Sequence, residues 1–204
     1  MGITSGIIIH RTGRYRELIW TGTTLLTLGT GLLIHFDATS TIAEIVVIQI
    51  VAGVASGMLF EPPLIAIQAL VSQEDTATAT ATLGFMRNLA TSFSIILGGV
   101  VFQNGMQLQE SSLVGSGLPA DLVQSFSGGD AAANVMKVSE IVDAGQRLAV
   151  KEAFAWSMRN MWIMFTCTAA IGVAASWFVT TQTLSREHTE TRTGIKKREV
   201  IPTQ

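Results

Sequence analysis

Cysteine occurs once in these 204 residues, tyrosine once and histidine three times, and each scarcity removes a class of function. A lone Cys167 inside an apolar run cannot close an internal disulfide and reads as a small buried hydrophobe. His10, His35 and His188 are scattered without ligand spacing, so no metal centre is expected. Charge is scarce as well. Asp, Glu, Lys and Arg make up 14% of the chain, the net charge is −2, and the basic residues form no stripe interleaved with aromatics, which argues against a nucleic-acid partner. No nucleophile sits with a neighbouring base and no phosphate-binding loop is present, so neither an enzyme nor a cofactor is expected. The basic cluster Arg11, Arg14 and Arg16 follows the first short apolar stretch instead of preceding it, and no small-residue cleavage site comes after, so a signal peptide is not expected either.

What the chain has in quantity is apolar length. Its hydrophobic fraction is 48% and its mean hydropathy +0.44, values that point to an all-α integral membrane protein with the lipid bilayer as its first partner. The stretch from Ile42 to Val71 organises the rest. It exceeds the roughly 20 apolar residues that cross a bilayer core, yet it carries Gln49, Glu61, Gln68 and the pair Pro62 and Pro63. Proline donates no backbone hydrogen bond and crowds the preceding turn, so a kink is expected beside Glu61. If the whole stretch were one helix, Gln49, Gly53, Ser56, Gly57, Glu61 and Gln68 would fall within about 140° of one another, which makes a polar, small-residue face. A carboxylate in a membrane is costly unless it faces protein or water, so Glu61 is a functional candidate; the plainer reading is a side chain snorkelling to the interface.

In chain order, residues 1–17 read as a cytoplasmic loop, and a first span is expected at 18–36, which is rich in Thr and Gly and so favours close helix contact. The second span is 42–71, with a GxxxG at Gly53 and Gly57. A third is expected at 81–102, introduced by Glu74 and Asp75, acids suited to the start of a helix. Its Gly84, Asn88, Ser92, Gly99 and Gln103 share about 100° of arc, a second contact face, with Arg87 either snorkelling or pairing with a carboxylate on another helix. Residues 103–157 read as an outer loop, within which Val135, Val138, Ile141, Val142 and Leu148 suggest an amphipathic surface helix between Asp130 and Trp156, or else a plain solvated one. The last span is expected at 158–180, anchored by Trp162 and Trp177, before a hydrophilic tail at 181–204. Arg11, Arg14 and Arg16 with Arg186, Arg192, Lys196, Lys197 and Arg198 outweigh Lys137, Arg147, Lys151 and Arg159, which places both termini in the cytoplasm.

Three features carry a family resemblance. GIIIHRTGRYR, from Gly6 to Arg16, resembles the loop signature of the major facilitator superfamily at Gly6, Arg11, Gly13, Arg14 and Arg16, with His10 where an acid is usual. GVASGMLFEPPLIAIQALV, TATATLGFMRNL and ILGGVVFQN, and later AFAWSMRNMWIMFTC with TLSREHTETRTG, are similar to the fungal fourteen-helix drug:proton antiporters. The resemblance implies that these are the last four helices of such a pump, the N-terminal half lying on another stretch or another chain. It implies alternating access about a midplane site, export of an apolar or amphipathic drug, toxin or metabolite, and a proton gradient as the driving force in place of a cofactor. By that reading Glu61 is the residue suited to take a proton, with Gln49 and Gln68 contacting substrate or gluing helices. Arg11, Arg14 and Arg16 hold a cytoplasmic gate or act only as topology signals. Gly53, Gly57, Arg87, Asn88, Ser92 and Gly99 line helix interfaces. The plasma membrane or a vacuolar or vesicular membrane is the expected location. Many relatives have Gln where this chain has Glu61, which leaves its role open. The rival expectations are a non-transporting four-helix protein that associates with a full-length transporter, and a truncated product without function.

Overall fold

The computed structural model describes residues 6, 7, 9, 11, 12 and 14–179. Gly13, His10 and the basic tail beyond Val179 lie outside the described residues. All regular structure among the described residues is helical: α1 (Tyr15–Leu32), closed by a 3₁₀ turn at Leu33–His35; α2 (Ile42–Met58); α3 (Pro62–Gln68); α4 (Thr76–Leu108); α5 (Glu110–Gly115); α6 (Ala120–Phe126); 3₁₀ turns at Gly128–Asp130 and Val135–Glu140; and α7 (Ala144–Ser176).

Local chemistry accounts for the ends of these helices and for the polar side chains along them. In α1 the hydroxyls of Thr23, Thr27 and Thr30 donate to the carbonyls of Ile19, Thr23 and Leu26, so they are satisfied without a partner helix. α2 starts on a capping box. Glu44 N donates to Thr41 Oγ1 while Thr41 N donates to Glu44 Oε2 at 3.0 Å. Replacing Thr41 with Ala should cost about 1 kcal/mol at this helix start. Hydrogen exchange of the Glu44 amide should then quicken by about fivefold, and unchanged exchange would show that the box contributes nothing. α7 is capped by Asp143, whose Oδ1 accepts from Gln146 N at 2.8 Å.

α1 packs between α2 and α7, α4 packs on the other side of α7, and α3 bridges α1 and α4. Two glycines let backbones meet. A Cβ on Gly29 would lie 2.9 Å from the Cα of Ala52, and one on Gly105 would lie 2.8 Å from the Cβ of Ser157. Three stretches are long and apolar enough to cross a membrane: Tyr15–His35, Ile42–Gln68 and Thr76–Gly115. Little of this surface is covered by the described residues, since only 6% of the apolar window in each of the second and third is buried. On α4 the consecutive Ile95, Ile96 and Leu97 are all exposed, as lipid or further helices require.

The structure departs from the sequence expectations at the outer loop. No separate amphipathic helix spans Asp130 to Trp156. Instead α4 continues to Leu108 and α7 begins at Ala144, and the segments between fold into a cap with its own core of Met106, Leu113, Val123, Phe126, Ile141 and Val150. Val138 and Ile141, three residues apart, suit a 3₁₀ turn, where i and i+3 eclipse, while Val142 is left 96% exposed. Phe154 ties cap to bundle, its ring 5.6 Å from Phe102 and 6.0 Å from Phe126. The expected fourth span is therefore the second half of α7 and not a helix of its own. It is not among the three that pass on length and composition, and Arg159 and Asn160 lower its apolar character.

Candidate functional site

The long apolar run breaks where the prolines require it. α2 stops at Met58 and α3 restarts at Pro62, with Pro62 and Pro63 in the first helical positions, where a missing N–H costs nothing. The Phe60 carbonyl, stranded between the two helices, accepts a hydrogen bond from Arg87 Nη2 of α4 at 2.9 Å, and the guanidinium carbon stands 4.4 Å from the centroid of the Phe60 ring. A cation at the C-terminal end of α2 also meets the negative end of that helix dipole. Arg87 therefore neither snorkels alone nor pairs with a carboxylate, as the sequence suggested, but straps the break from a neighbouring helix. Arg87→Met should cost about 2 kcal/mol by removing a charge-assisted bond. The checks are a lower thermal midpoint and faster exchange of the Ile65 amide, with Arg87→Lys recovering part of both.

Glu61 sits in the break itself, half-buried, at the cap position of α3 and without a side-chain capping bond. Its Oε2 lies 3.0 Å from the place a Cβ on Gly6 would occupy. The structure thus brings together the signature glycine and the acid at the proline break, a pairing that sequence spacing did not show. Gln68 is drawn elsewhere, its Nε2 donating to Thr80 Oγ1 of α4 at 3.1 Å, which is the helix-gluing role. Gln49 is exposed on α2, nine residues and so about 13 Å of helix before the break that holds Glu61. The three polar residues expected on one face therefore occupy three places, because the break resets the helical phase after Met58.

Of the signature arginines, Arg11 is exposed, and Arg14 reaches Glu17 at 3.5 Å in a pair exposed on both sides, which contributes little. Arg16 lies over the Trp20 ring at 4.2 Å, and Trp20 Nε1 donates to the Ser176 carbonyl at 2.8 Å. This stack links the entry of α1 to the end of α7. Asn88 and Ser92 are exposed, Gly57 is half-buried, and a Cβ on Gly53 or Gly99 would meet nothing within 4 Å among the described residues. The close contacts are made instead by Gly22, Gly29, Gly98 and Gly105.

Long apolar helices, one broken at a proline pair beside a half-buried carboxylate and strapped by an arginine, make this a multi-pass membrane protein. Along nearly all of its length the chain is related in sequence to fungal MFS-type transporters and efflux pumps. It is 36% identical over 192 residues to the efflux pump dotC of Dothistroma septosporum, covering 94% of this chain and 32% of that protein. It is 35% identical over 195 residues to an MFS-type transporter of Aspergillus terreus, covering 96% and 35%. The MFS-type transporter ppz2 of Metarhizium majus matches at 36% identity over 191 residues. The chain spans about a third of the length of these curated relatives. No family model matches it, and no solved structure matches it.

Proposed function

We propose that this chain supplies the last helices of a major facilitator-type efflux transporter, which exports small apolar or amphipathic compounds by proton antiport, the remaining helices lying on the rest of the same protein or on a partner chain. The observation that carries the reading is the match along 94–96% of the chain to proteins named as efflux pumps and MFS-type transporters. The broken helix supports it. Irregular backbone within a membrane is tolerated where protein or a water-filled cavity covers it, and in transporters such breaks mark the site where ion and substrate are handled. In this scheme Glu61 takes up a proton on one side and releases it on the other. Arg87 holds the Phe60 carbonyl while Gly6 lets the cytoplasmic loop close on the carboxylate. Both termini lie in the cytoplasm, and the membrane is the plasma membrane or that of a vacuole or vesicle.

The test is accumulation of rhodamine 6G and Nile red in cells that lack their own efflux pumps and express the complete native product of this gene. Several-fold lower accumulation of either dye, abolished by a protonophore, supports proton-coupled export. Accumulation equal to that of control cells, together with co-purification of a full-length transporter, would replace it with an associating, non-transporting role.

A further inference from the structure

A groove of about 450 Å³ lies between the end of α1, the first half of α2, the turn Val135–Glu140 and the first half of α7. That volume is within the range of small-ligand sites. Its walls are mostly apolar, with Leu33, Ile45 and Met158 among them, and its polar groups are placed unevenly: Gln49 from α2, Lys151 and Arg159 from α7. The one acid in the wall, Asp37, is engaged with its own turn, its Oδ1 accepting from Ala38 N at 2.7 Å. Neither Lys151 nor Arg159 has an ion-pair partner among the described residues. Trp162, also in the wall, keeps a buried Nε1–H that donates to nothing described.

From these groups we infer that the groove binds a single-tailed amphiphile with one negative charge, a carboxylate or phosphate on an apolar body. The argument is one of complementarity. Lys151 and Arg159, both exposed, are eight residues apart, about 12 Å along α7, and Arg159 lies next to Met158 with Trp162 one turn on. An unpaired arginine next to apolar surface is unfavourable, and an anionic head group that accepts its paired N–H donors relieves this. The tail then lies along Leu33, Ile45 and Met158, and Gln49 offers an amide at its side. The two cations against one acid give the wall a surplus of one positive charge, which favours a monoanion over a neutral or cationic compound. The size of the groove suits one tail and not the two of a membrane phospholipid. This binding does not depend on transport, and it is distinct from the Glu61 break.

The complete native protein in phosphatidylcholine nanodiscs should be titrated with bromododecanoate, bromododecanol and a brominated dodecyltrimethylammonium, with tryptophan fluorescence as the readout. Saturable quenching by the carboxylate at a concentration at least tenfold below that of the other two is expected, and Trp162→Phe should remove most of it. Arg159→Gln, or Lys151→Gln if the first variant does not fold, should weaken only the carboxylate, with Arg159→Lys keeping part of its binding. Equal quenching by all three compounds would overturn the inference. So would saturable quenching by brominated phosphatidylglycerol alone, which would assign the groove to bilayer lipid. Absence of saturable quenching with Ala155→Cys closed to a maleimide would show it filled by other helices of the protein, with the same consequence.

Discussion

Gly105→Val is expected to unfold the junction of α4 and α7 at a temperature on the order of 10 °C below that of the unmodified protein. A Cβ at Gly105 would stand 2.8 Å from both Cβ and Oγ of Ser157 and 3.0 Å from its Cα. The Cα belongs to the α7 backbone and cannot rotate away as a side-chain tip could. Ser157 is itself fully buried, its hydroxyl donating to the Ala153 carbonyl at 2.8 Å. Relief must come from separating two helices that also enclose the cap core around Met106, Val150 and Ala153. Overpacking of this kind costs about 1–3 kcal/mol, and a β-branched residue belongs at the upper end. The decisive control is compensation. Ser157→Gly removes the two nearest opposing atoms, Cβ and Oγ, and leaves only the Cα, so Gly105→Ala combined with Ser157→Gly should be more stable than Gly105→Ala alone, a coupling that independent sites would not show. Thermal midpoints of the four proteins in detergent give the answer. Additive losses would mean that this contact does not set the helix spacing.

The contrast between Gly105 and Gly53 shows which parts of the fold can be read before folding. Apolar length, threonines that bond to their own helix, the Thr41–Glu44 box and the proline break all depend on neighbours within about four residues, and each has the form that its sequence implies. Helix contact does not. A GxxxG says that a face permits close approach and not that another helix arrives there, so Gly53 stays open among the described residues while Gly29, outside that motif, meets Ala52. The angular argument from Gln49 to Gln68 failed for a related reason. It assumed one phase across a break that the same sequence predicted, and the restart at Pro62 sends Gln68 to Thr80 and leaves Gln49 to the groove it shares with Lys151 and Arg159. The cap was missed because its apolar residues come from the ends of two long helices and from several short pieces between them, and the three-residue spacing of Val138 and Ile141 mimics a helix. The contact of Gly6 with Glu61 joins residues far apart in the chain, so no local pattern could carry it.

Glu61→Gln is the substitution expected to act most strongly on function without disturbing the fold. The amide has nearly the shape of the carboxyl, so it preserves the close approach of this side chain to Gly6, where Glu61 Oε2 stands 3.0 Å from the place a Cβ would occupy. It also keeps Arg87 on the Phe60 carbonyl, since that strap uses backbone and ring and does not touch the Glu61 side chain. What the amide loses is the ability to gain and give up a proton. If Glu61 couples the proton gradient to export, uphill transport in everted vesicles energised by an imposed pH gradient should fall at least tenfold. Exchange of labelled for unlabelled dye at equilibrium, which needs the conformational cycle but no net proton movement, should persist at a comparable rate. Such a split is specific to a lost coupling group, because a structural defect at the break would lower both. Glu61→Asp sharpens the point: it retains the charge but draws it back from Gly6 by one methylene, so coupling should survive with reduced efficiency. A Glu61→Gln protein that pumps uphill as well as the unmodified one would remove Glu61 from the proton path. The carboxylate would then be a structural element of the break, and the coupling proton would have to be carried by a residue on the other helices of the transporter.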